Sequence, residues 1–181
     1  MQAHPAPDDS PWSFTLAVAD VAESGRHIAI AADAATRAAV AGVADVREIP
    51  RLEAVFDIAR HGRNGLHITG KVSARVGQDC VVTLEPMESD IEEVVDVLVV
   101  PPEKIVAAAD QDPLEVDGGP DLEPLTGDSV DLGALATEFL LLGIDPYPRK
   151  PDAEFVAPQE SDDSPHPFAT LAALKRDRGD A

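Results

Sequence analysis

The side chain best suited to covalent chemistry is Cys80, the only cysteine among 181 residues. A cysteine nucleophile needs a neighbouring base, and His61 and His67 are the nearest histidines in the sequence. This combination raises the hypothesis of a thiol-dependent hydrolase. Free cysteine is commonly a small buried residue, so we favour a structural role for Cys80 at the start of a strand.

Acid–base and metal chemistry have weaker support. Glu85 and Glu88 could act as an acid–base pair in a carboxylate-dependent hydrolase, but neighbouring carboxylates are expected by chance in so acidic a region. The histidines match no metal-binding spacing; they are His4, His27, His61, His67 and His166. The glycines form neither a phosphate-binding loop nor a dinucleotide fingerprint. We therefore predict no catalytic residue, no metal and no cofactor.

The charge of the chain excludes a protein that coats nucleic acid over its whole surface. Lys and Arg number 14 against 34 Asp and Glu, giving a net charge of −20. The acids concentrate in residues 78–163, where 23 acids accompany 3 bases. This acidic block could bind a basic partner protein and steer its approach; the alternative is that it only keeps the chain soluble.

Residues 47–75 are locally basic, with six bases and three acids. The bases are Arg47, Arg51, Arg60, Arg63, Lys71 and Arg75. Lys and Arg side chains bind phosphates, so these residues are predicted to contact RNA. The alternative is that they balance the acidic block across the fold.

Alternating apolar and polar residues predict a long antiparallel hairpin with arms at 46–60 and 66–76. Asn64 and Gly65 are expected to supply the positive φ of its turn. One face of the second arm is apolar and the other polar; the apolar face has Leu66, Ile68, Val72, Ala74 and Val76, and the polar face His67, Thr69, Lys71, Ser73 and Arg75. Further strands are predicted at 12–18, 27–31, 80–84 and 91–100, with a turn at 85–88.

Two helices are predicted from their caps. Asp33 is the expected N-cap of a first helix, which covers 34–41 and ends at Gly42. Asp131 is the expected N-cap of a second helix, which covers 132–142 and ends at a left-handed Gly143. Leu135, Phe139 and Leu142 are expected on the packed stripe of the second helix. Residues 103–127 are acidic and rich in Pro and Gly, which predicts either a flexible loop or a loop that becomes ordered on binding.

The predicted organisation is one α+β domain over 12–149, built on an antiparallel β-rich sheet or partly open barrel. Residues 1–11 form a flexible N-terminus, 150–165 an acidic linker and 166–178 a tethered amphipathic helix. The lone cysteine indicates a reducing compartment. With no signal peptide and no run of about 18 apolar residues, the sequence predicts a soluble cytoplasmic protein.

Three separated blocks of this sequence resemble the YceD family. They are the run CVVTLEP at 80–86, the run VDLGALATEFLLL at 130–142 followed by PYPR at 146–149, and the run HPFATLAALK at 166–175. The matching motif positions are Cys80, Leu84, Glu85, Pro86, Asp131, Leu132, Gly133, Glu138 and Pro148. Many members have a Cys-x-Arg-Cys motif, whereas this chain has Val82 and Thr83 in place of the Arg and second Cys.

The resemblance implies a non-catalytic role in the accumulation of large-subunit ribosomal RNA and in ribosome assembly. We expect the partner to be a basic ribosomal protein, large-subunit precursor rRNA, or both, and neither DNA nor a membrane. The C-terminal residues Phe168, Leu171, Leu174 and Lys175 are expected to bind a partner groove as a helix; alternatively, this helix folds back on its own sheet. The sequence does not determine the oligomeric state.

Overall fold

A computed structural model describes residues 10–62, 64–109, 120–125 and 127–155, without the side chains of 106–109. Seven strands are present in this part of the chain: β1 (Thr15–Ala17), β2 (Arg26–Ala31), β3 (Glu48–His61), β4 (Gly65–Asp79), β5 (Pro86–Val100), β6 (Asp121–Pro124) and β7 (Ser129–Asp131). The helices are α1 (Ala34–Ala44), α2 (Pro102–Ala109) and α3 (Leu132–Gly143). The fold is α+β.

The strands form an open five-stranded sheet and a small two-stranded one. The larger sheet has the order β2-β3-β4-β5-β6, and its neighbours pair antiparallel except β5 and β6, which are parallel. The smaller sheet pairs β1 with β7. The predicted β-rich sheet is confirmed, as an open sheet whose edge strands are β2 and β6.

The two faces of the larger sheet differ because β3 and β4 alternate apolar and polar residues. The inner face is apolar, with Leu52, Phe56, Ile68, Val72 and Val97 almost fully buried. Helices α1 and α3 pack on this sheet, α1 against β3 and α3 against β4 and β5. The face assignment predicted for 66–76 is confirmed, and the outer face carries exposed, mostly charged residues.

Asp131 begins α3 and holds the N-terminal segment against it. Its Oδ1 accepts hydrogen bonds from the backbone N–H groups of Gly133 and Ala134, at 2.9 and 3.0 Å. The same oxygen accepts from the N–H of Phe14 at 2.8 Å, and Oδ2 accepts from the Ser13 hydroxyl. The predicted N-cap is confirmed, and this carboxylate also joins segments 117 residues apart.

Position 133, two residues after this cap, requires glycine because the backbone of the N-terminal segment passes directly over it. A Cβ atom at this position would lie 2.6 Å from the carbonyl oxygen of Trp12. No larger residue fits without moving that backbone. Gly133 thus allows the close approach of the buried Trp12 to α3.

Several strand and turn predictions are wrong. Residues 80–84, predicted as a strand, form a turn, and β5 begins at Pro86 rather than at 91. In the main hairpin a positive φ belongs to Gly62, at 61°, and not to Gly65. The predicted strand at 12–18 is reduced to β1, followed by a 3-10 turn at Val18–Asp20.

The helix ends also differ from prediction. Helix α1 continues past Gly42 and ends at Asp45, whose φ of 52° and ψ of 42° are left-handed. Gly143 belongs to α3 and is not left-handed; a Cβ there would lie 2.5 Å from a carboxylate oxygen of Glu93. Leu142 is 80% exposed and is not on the packed stripe, which uses Leu132 and Leu140 beside the predicted Leu135.

The segment predicted as a flexible loop at 103–127 contains regular structure at both ends. Helix α2 occupies Pro102–Ala109, and β6 pairs with β5 from Asp121 to Pro124. Residues 110–119 lie outside the described part, as do residues 1–9 and the predicted C-terminal helix. Among the described helices, none has the length and apolar character needed to cross a membrane.

Replacing the Asp131 cap is expected to destabilise the fold. Asp131→Ala removes the acceptor of two helix N–H groups and of the Phe14 N–H, and we expect a loss of about 2 kcal/mol in the free energy of unfolding. Asp131→Asn keeps one acceptor oxygen and should lower the free energy of unfolding by a smaller amount. Urea unfolding measures both, with Asp121→Ala on the exposed β6 as control; equal stability of Asp131→Ala and wild type would contradict this role.

Candidate functional site

The turn between β4 and β5 brings together motif residues that lie far apart in the sequence. It closes through hydrogen bonds from the Leu84 N–H to the Cys80 carbonyl, at 2.8 Å, and from the Cys80 N–H to the Glu85 carbonyl, at 2.9 Å. We call residues 80–85 the Cys80 turn.

The segment that follows α3 crosses the Cys80 turn and is bonded to it at three points. The Val81 N–H donates to the Pro148 carbonyl at 2.9 Å. The Lys150 N–H donates to the Cys80 Sγ at 3.5 Å, and the Lys150 ammonium donates to Glu85 Oε2 at 2.8 Å. The motif positions Cys80, Glu85 and Pro148 are therefore parts of one cluster.

The Cys80 thiol is a buried acceptor. The N–H groups of Lys150, Thr83 and Val82, together with the Thr83 hydroxyl, lower the pKa of Cys80 to about 6, with the Lys150 N–H the largest cause. The side chain is fully buried. A thiolate in this setting stabilises the turn by accepting hydrogen bonds, and the ion pair with Lys150 lowers the pKa of Glu85.

The histidines proposed as bases for a hydrolase lie at the other end of the hairpin. His61 ends β3 opposite Gly65, and His67 is near the start of β4, whereas Cys80 follows the end of β4. Cys80 is 13 positions after His67 along this extended strand, a distance of about 40 Å. The structure therefore does not assemble the cysteine–histidine pair.

Leu84 and Pro86 also belong to the Cys80 turn and the start of β5, whereas the other motif positions lie on α3. Asp131 is the N-cap of α3, Leu132 and Gly133 are buried in its first turn, and Glu138 is exposed in its middle. Since a helix of 12 residues is about 18 Å long, α3 separates this group from the Cys80 turn. The family motif thus has two locations, one at the Cys80 turn and one from the start to the middle of α3.

Leu84 has an unusual backbone and an exposed side chain. Its φ of 58° lies in the left-handed region, which is unfavourable for a residue with a Cβ atom. Its side chain is 78% exposed, and Val81 in the same turn is 50% exposed. Strain of this kind often accompanies function.

The outer face of the five-stranded sheet carries more acids than bases. Eight carboxylates face three strand bases; the acids are Glu48, Glu53, Asp57, Asp79, Glu88, Asp90, Glu92 and Asp96, and the bases Arg51, Lys71 and Arg75. With neutral histidines, these strand positions have a net charge of −5. It is therefore an acidic surface, although it contains half of the predicted RNA-contacting residues.

Every base on the outer face has a carboxylate partner. Arg51 and Arg75 are opposite each other in the sheet, and Asp90 lies 3.6 Å from Arg51 and 2.7 Å from Arg75. Lys71 lies 2.7 Å from Glu92. The Arg75 guanidinium lowers the pKa of Asp90, and Asp90 in turn raises the pKa of Arg75.

The other predicted RNA-contacting residues lie outside these strand positions. Arg47 precedes β3 and pairs with Asp79 at 2.9 Å. Arg60 lies at the far end of β3, where it donates to the carbonyls of Val21 and Val18. Arg63 is outside the described residues. The predicted set is thus distributed along the hairpin and does not form one basic patch.

A row of mostly apolar residues, interrupted by Lys71, crosses the middle of the outer face, and we call it the apolar row. This row was not predicted from the sequence. Ala29, Val55, Lys71 and Val94 are neighbours on successive strands. Val55 is 40% and Val94 74% exposed. The valines at polar positions of the alternating pattern were the available signal.

In the described part of the chain, no group of three His, Cys, Asp or Glu residues is placed to hold a metal.

A family model described as "Large ribosomal RNA subunit accumulation protein YceD" matches residues 68–175, more than half of the chain. The matched range includes most of β4, all of β5, the Cys80 turn and α3. No curated protein and no solved structure matches the chain.

Titration of Cys80 should give a pKa of about 6. Because this is the only cysteine, the ultraviolet absorbance of the thiolate reports on it alone. Thr83→Val removes a hydroxyl donor and should raise the pKa. The folded pKa lies below the unfolded value of about 8.5, so stability from this group is lost as pH falls from 8.5 through 6. Cys80→Ser should lack this dependence; a wild-type pKa above 8 would contradict the assigned hydrogen bonds.

Leu84→Gly should stabilise the protein. Glycine removes the left-handed strain, which costs about 1 to 2 kcal/mol. Glycine also raises the entropy of the unfolded chain, so the free energy of unfolding should increase by only about 0.5 kcal/mol. Chemical denaturation measures the change. Val81→Gly is the control, because Val81 has negative φ and should be destabilised by the same substitution. Destabilisation of both variants to the same extent would refute strain at Leu84.

Proposed function

The chain belongs to the YceD family, named for accumulation of the large ribosomal RNA subunit, and we propose that it acts without catalysis by binding a basic ribosomal protein. The family supports the link with large-subunit rRNA. The composition of the outer face supports a protein partner. By holding this partner before or during its incorporation, the chain would promote accumulation of the rRNA that the partner binds.

The observation that carries this proposal is the pairing of bases on the outer face. A site for the RNA backbone needs Lys and Arg that are available to phosphates. Arg51, Lys71 and Arg75 each have carboxylate partners within 4 Å, and carboxylates outnumber bases on this face. Such a face repels phosphate and attracts a cationic surface.

The apolar row gives the acidic face the second property of a protein interface. Val55 and Val94 are exposed between rows of carboxylates. Burial of apolar side chains supplies affinity, while surrounding charges supply selection and a faster approach. A partner with apolar residues between Lys and Arg would match this arrangement.

Two predicted binding regions complete the proposal. Phe168, Leu171, Leu174 and Lys175, outside the described residues, would form a second contact as an amphipathic helix. The second region is the set of predicted RNA-contacting bases, Arg47, Arg51, Arg60, Arg63, Lys71 and Arg75. Precursor rRNA would bind there by displacing the carboxylates that pair with Arg47, Arg51, Lys71 and Arg75. In that case binding would fall steeply with salt.

Affinity purification of the tagged chain, with and without ribonuclease, tests the proposal. Large-subunit proteins should be recovered in both samples. If large-subunit proteins are recovered only without ribonuclease, the chain contacts rRNA and not the proteins. If neither ribosomal proteins nor rRNA are recovered, the assembly role is overturned.

Val94→Arg should reduce capture of ribosomal proteins at least tenfold, because it replaces the most exposed apolar side chain of the row by a second cation opposite Lys71. Val43→Arg is the matched control: Val43 is 59% exposed on α1, and the substitution adds the same side chain and charge. Quantitative mass spectrometry of the purified material compares the two. Equal capture by both variants would exclude the outer face as the binding surface.

A further inference from the structure

A cavity of about 340 Å³ lies between the C-terminal ends of α1 and α3, beside the end of β4. Its lining includes Asp45, Val46, Gln78, Leu141, Ile144 and Asp145. It is separate from the outer face, because Gln78 belongs to the buried side of β4.

Gln78 contributes a hydrogen-bond acceptor without a partner. The residue is only 9% exposed. Its Nε2 donates to the Asp145 carbonyl at 2.9 Å, whereas its Oε1 is buried with no hydrogen-bond partner among the described residues. An unpaired buried carbonyl is costly. Since the last torsion of glutamine is soft, the amide can turn this oxygen toward a donor in the cavity, in exchange for the hydrogen bond from Nε2 to Asp145.

The other polar groups around the cavity are also negative or accepting. The last turns of α1 and α3 direct carbonyl groups toward this end, where each helix has the negative end of its dipole. Asp45 and Asp145 add two exposed carboxylates. The nearest base in sequence, Arg47, is held by Asp79 at 2.9 Å, and Asp79 points to the opposite face from Gln78.

The remaining walls are apolar. Val46, Leu141 and Ile144 line the cavity and can pack along an aliphatic stem. A ligand that fits both parts has an aliphatic stem and a cationic end with several N–H donors. Arginine has this combination, and its five donors can reach carboxylates, carbonyls and an amide oxygen together.

We propose that this cavity binds an arginine side chain of a protein partner. The proposal extends the proposed function, because a basic ribosomal protein would supply this arginine, but binding of arginine itself does not depend on that function. The guanidinium would donate to Gln78 Oε1 and to the carboxylates of Asp45 and Asp145.

The test is a titration of the full chain, labelled with ¹⁵N, with arginine amide. Saturable shifts are expected for the side-chain amide of Gln78 and for the backbone amides of 44–46 and 141–145. Citrulline amide, which has a similar shape without the charge, should produce shifts at least fivefold smaller at equal concentration. Equal shifts from both compounds, or no saturable shifts at these residues, would overturn the proposal.

Variants separate a built site from general attraction to an acidic protein. Asp45→Asn keeps a residue that tolerates the left-handed conformation and should weaken arginine amide at least threefold. Asp121→Asn makes the same charge change on β6 and should have no effect. Gln78→Leu should weaken binding further; if it fails to fold, Asp45→Asn decides. Unchanged affinity in Asp45→Asn would refute the site.

Failure of this site and failure of the proposed function are distinguishable. Binding of arginine amide without capture of ribosomal proteins would leave the cavity established and reject the ribosomal partner. Capture of ribosomal proteins that is lost in Val94→Arg, without saturable binding of arginine amide, would support the outer face and reject the cavity.

Discussion

The register of β4 between β3 and β5 is the constraint on which the rest of the structure depends. β4 is hydrogen-bonded along both sides, with β3 over almost its full length and with β5 from Leu66 to Asp79. Because side chains alternate between faces, a shift of one residue would exchange the buried and the charged sets. The apolar inner face, which receives α1 and α3, selects a single register.

That register also determines the electrostatics of the outer face. It places Arg51 opposite Arg75, two like charges that repel each other at this distance. Asp90 on β5 is opposite Arg75 and reaches both guanidinium groups. The hairpin that is basic as a sequence becomes neutralised when β5 joins it. Local charge along a strand therefore says little about the charge of the finished face.

Features encoded by neighbouring residues could be predicted from sequence. Asp33 and Asp131 bond to N–H groups within three residues of themselves, and the faces of β4 follow from simple alternation. The Cys80 turn could not be predicted, because the run Cys-Val-Val-Thr-Leu favours a strand. The turn is held instead by hydrogen bonds to Pro148 and Lys150, which are distant in sequence. Helix α2 had a local signal that was missed, since proline is common at the first helical position and Pro102 occupies it.

Two features could not be predicted from the sequence because they depend on the tertiary fold. They are the carboxylate partners of the basic residues and the cavity beside Gln78. Asp90 and Arg75 are 15 residues apart, and their meeting depends on where the Cys80 turn reverses the chain. Residues of the cavity come from α1, β4 and α3, so no single segment of sequence contains a pattern for it. Long-range packing decided both arrangements.

The pairing of β1 with β7 has a consequence for synthesis of the chain. Thr15 pairs with Asp131, so β1 must wait until more than a hundred further residues have been made before its partner exists. Closing a loop of this length costs entropy that only the completed contacts repay. The sheet from β2 to β5 can form earlier, while Trp12 and Leu16 remain without their burial site on α3. During translation the first segment of the chain is therefore among the last to fold.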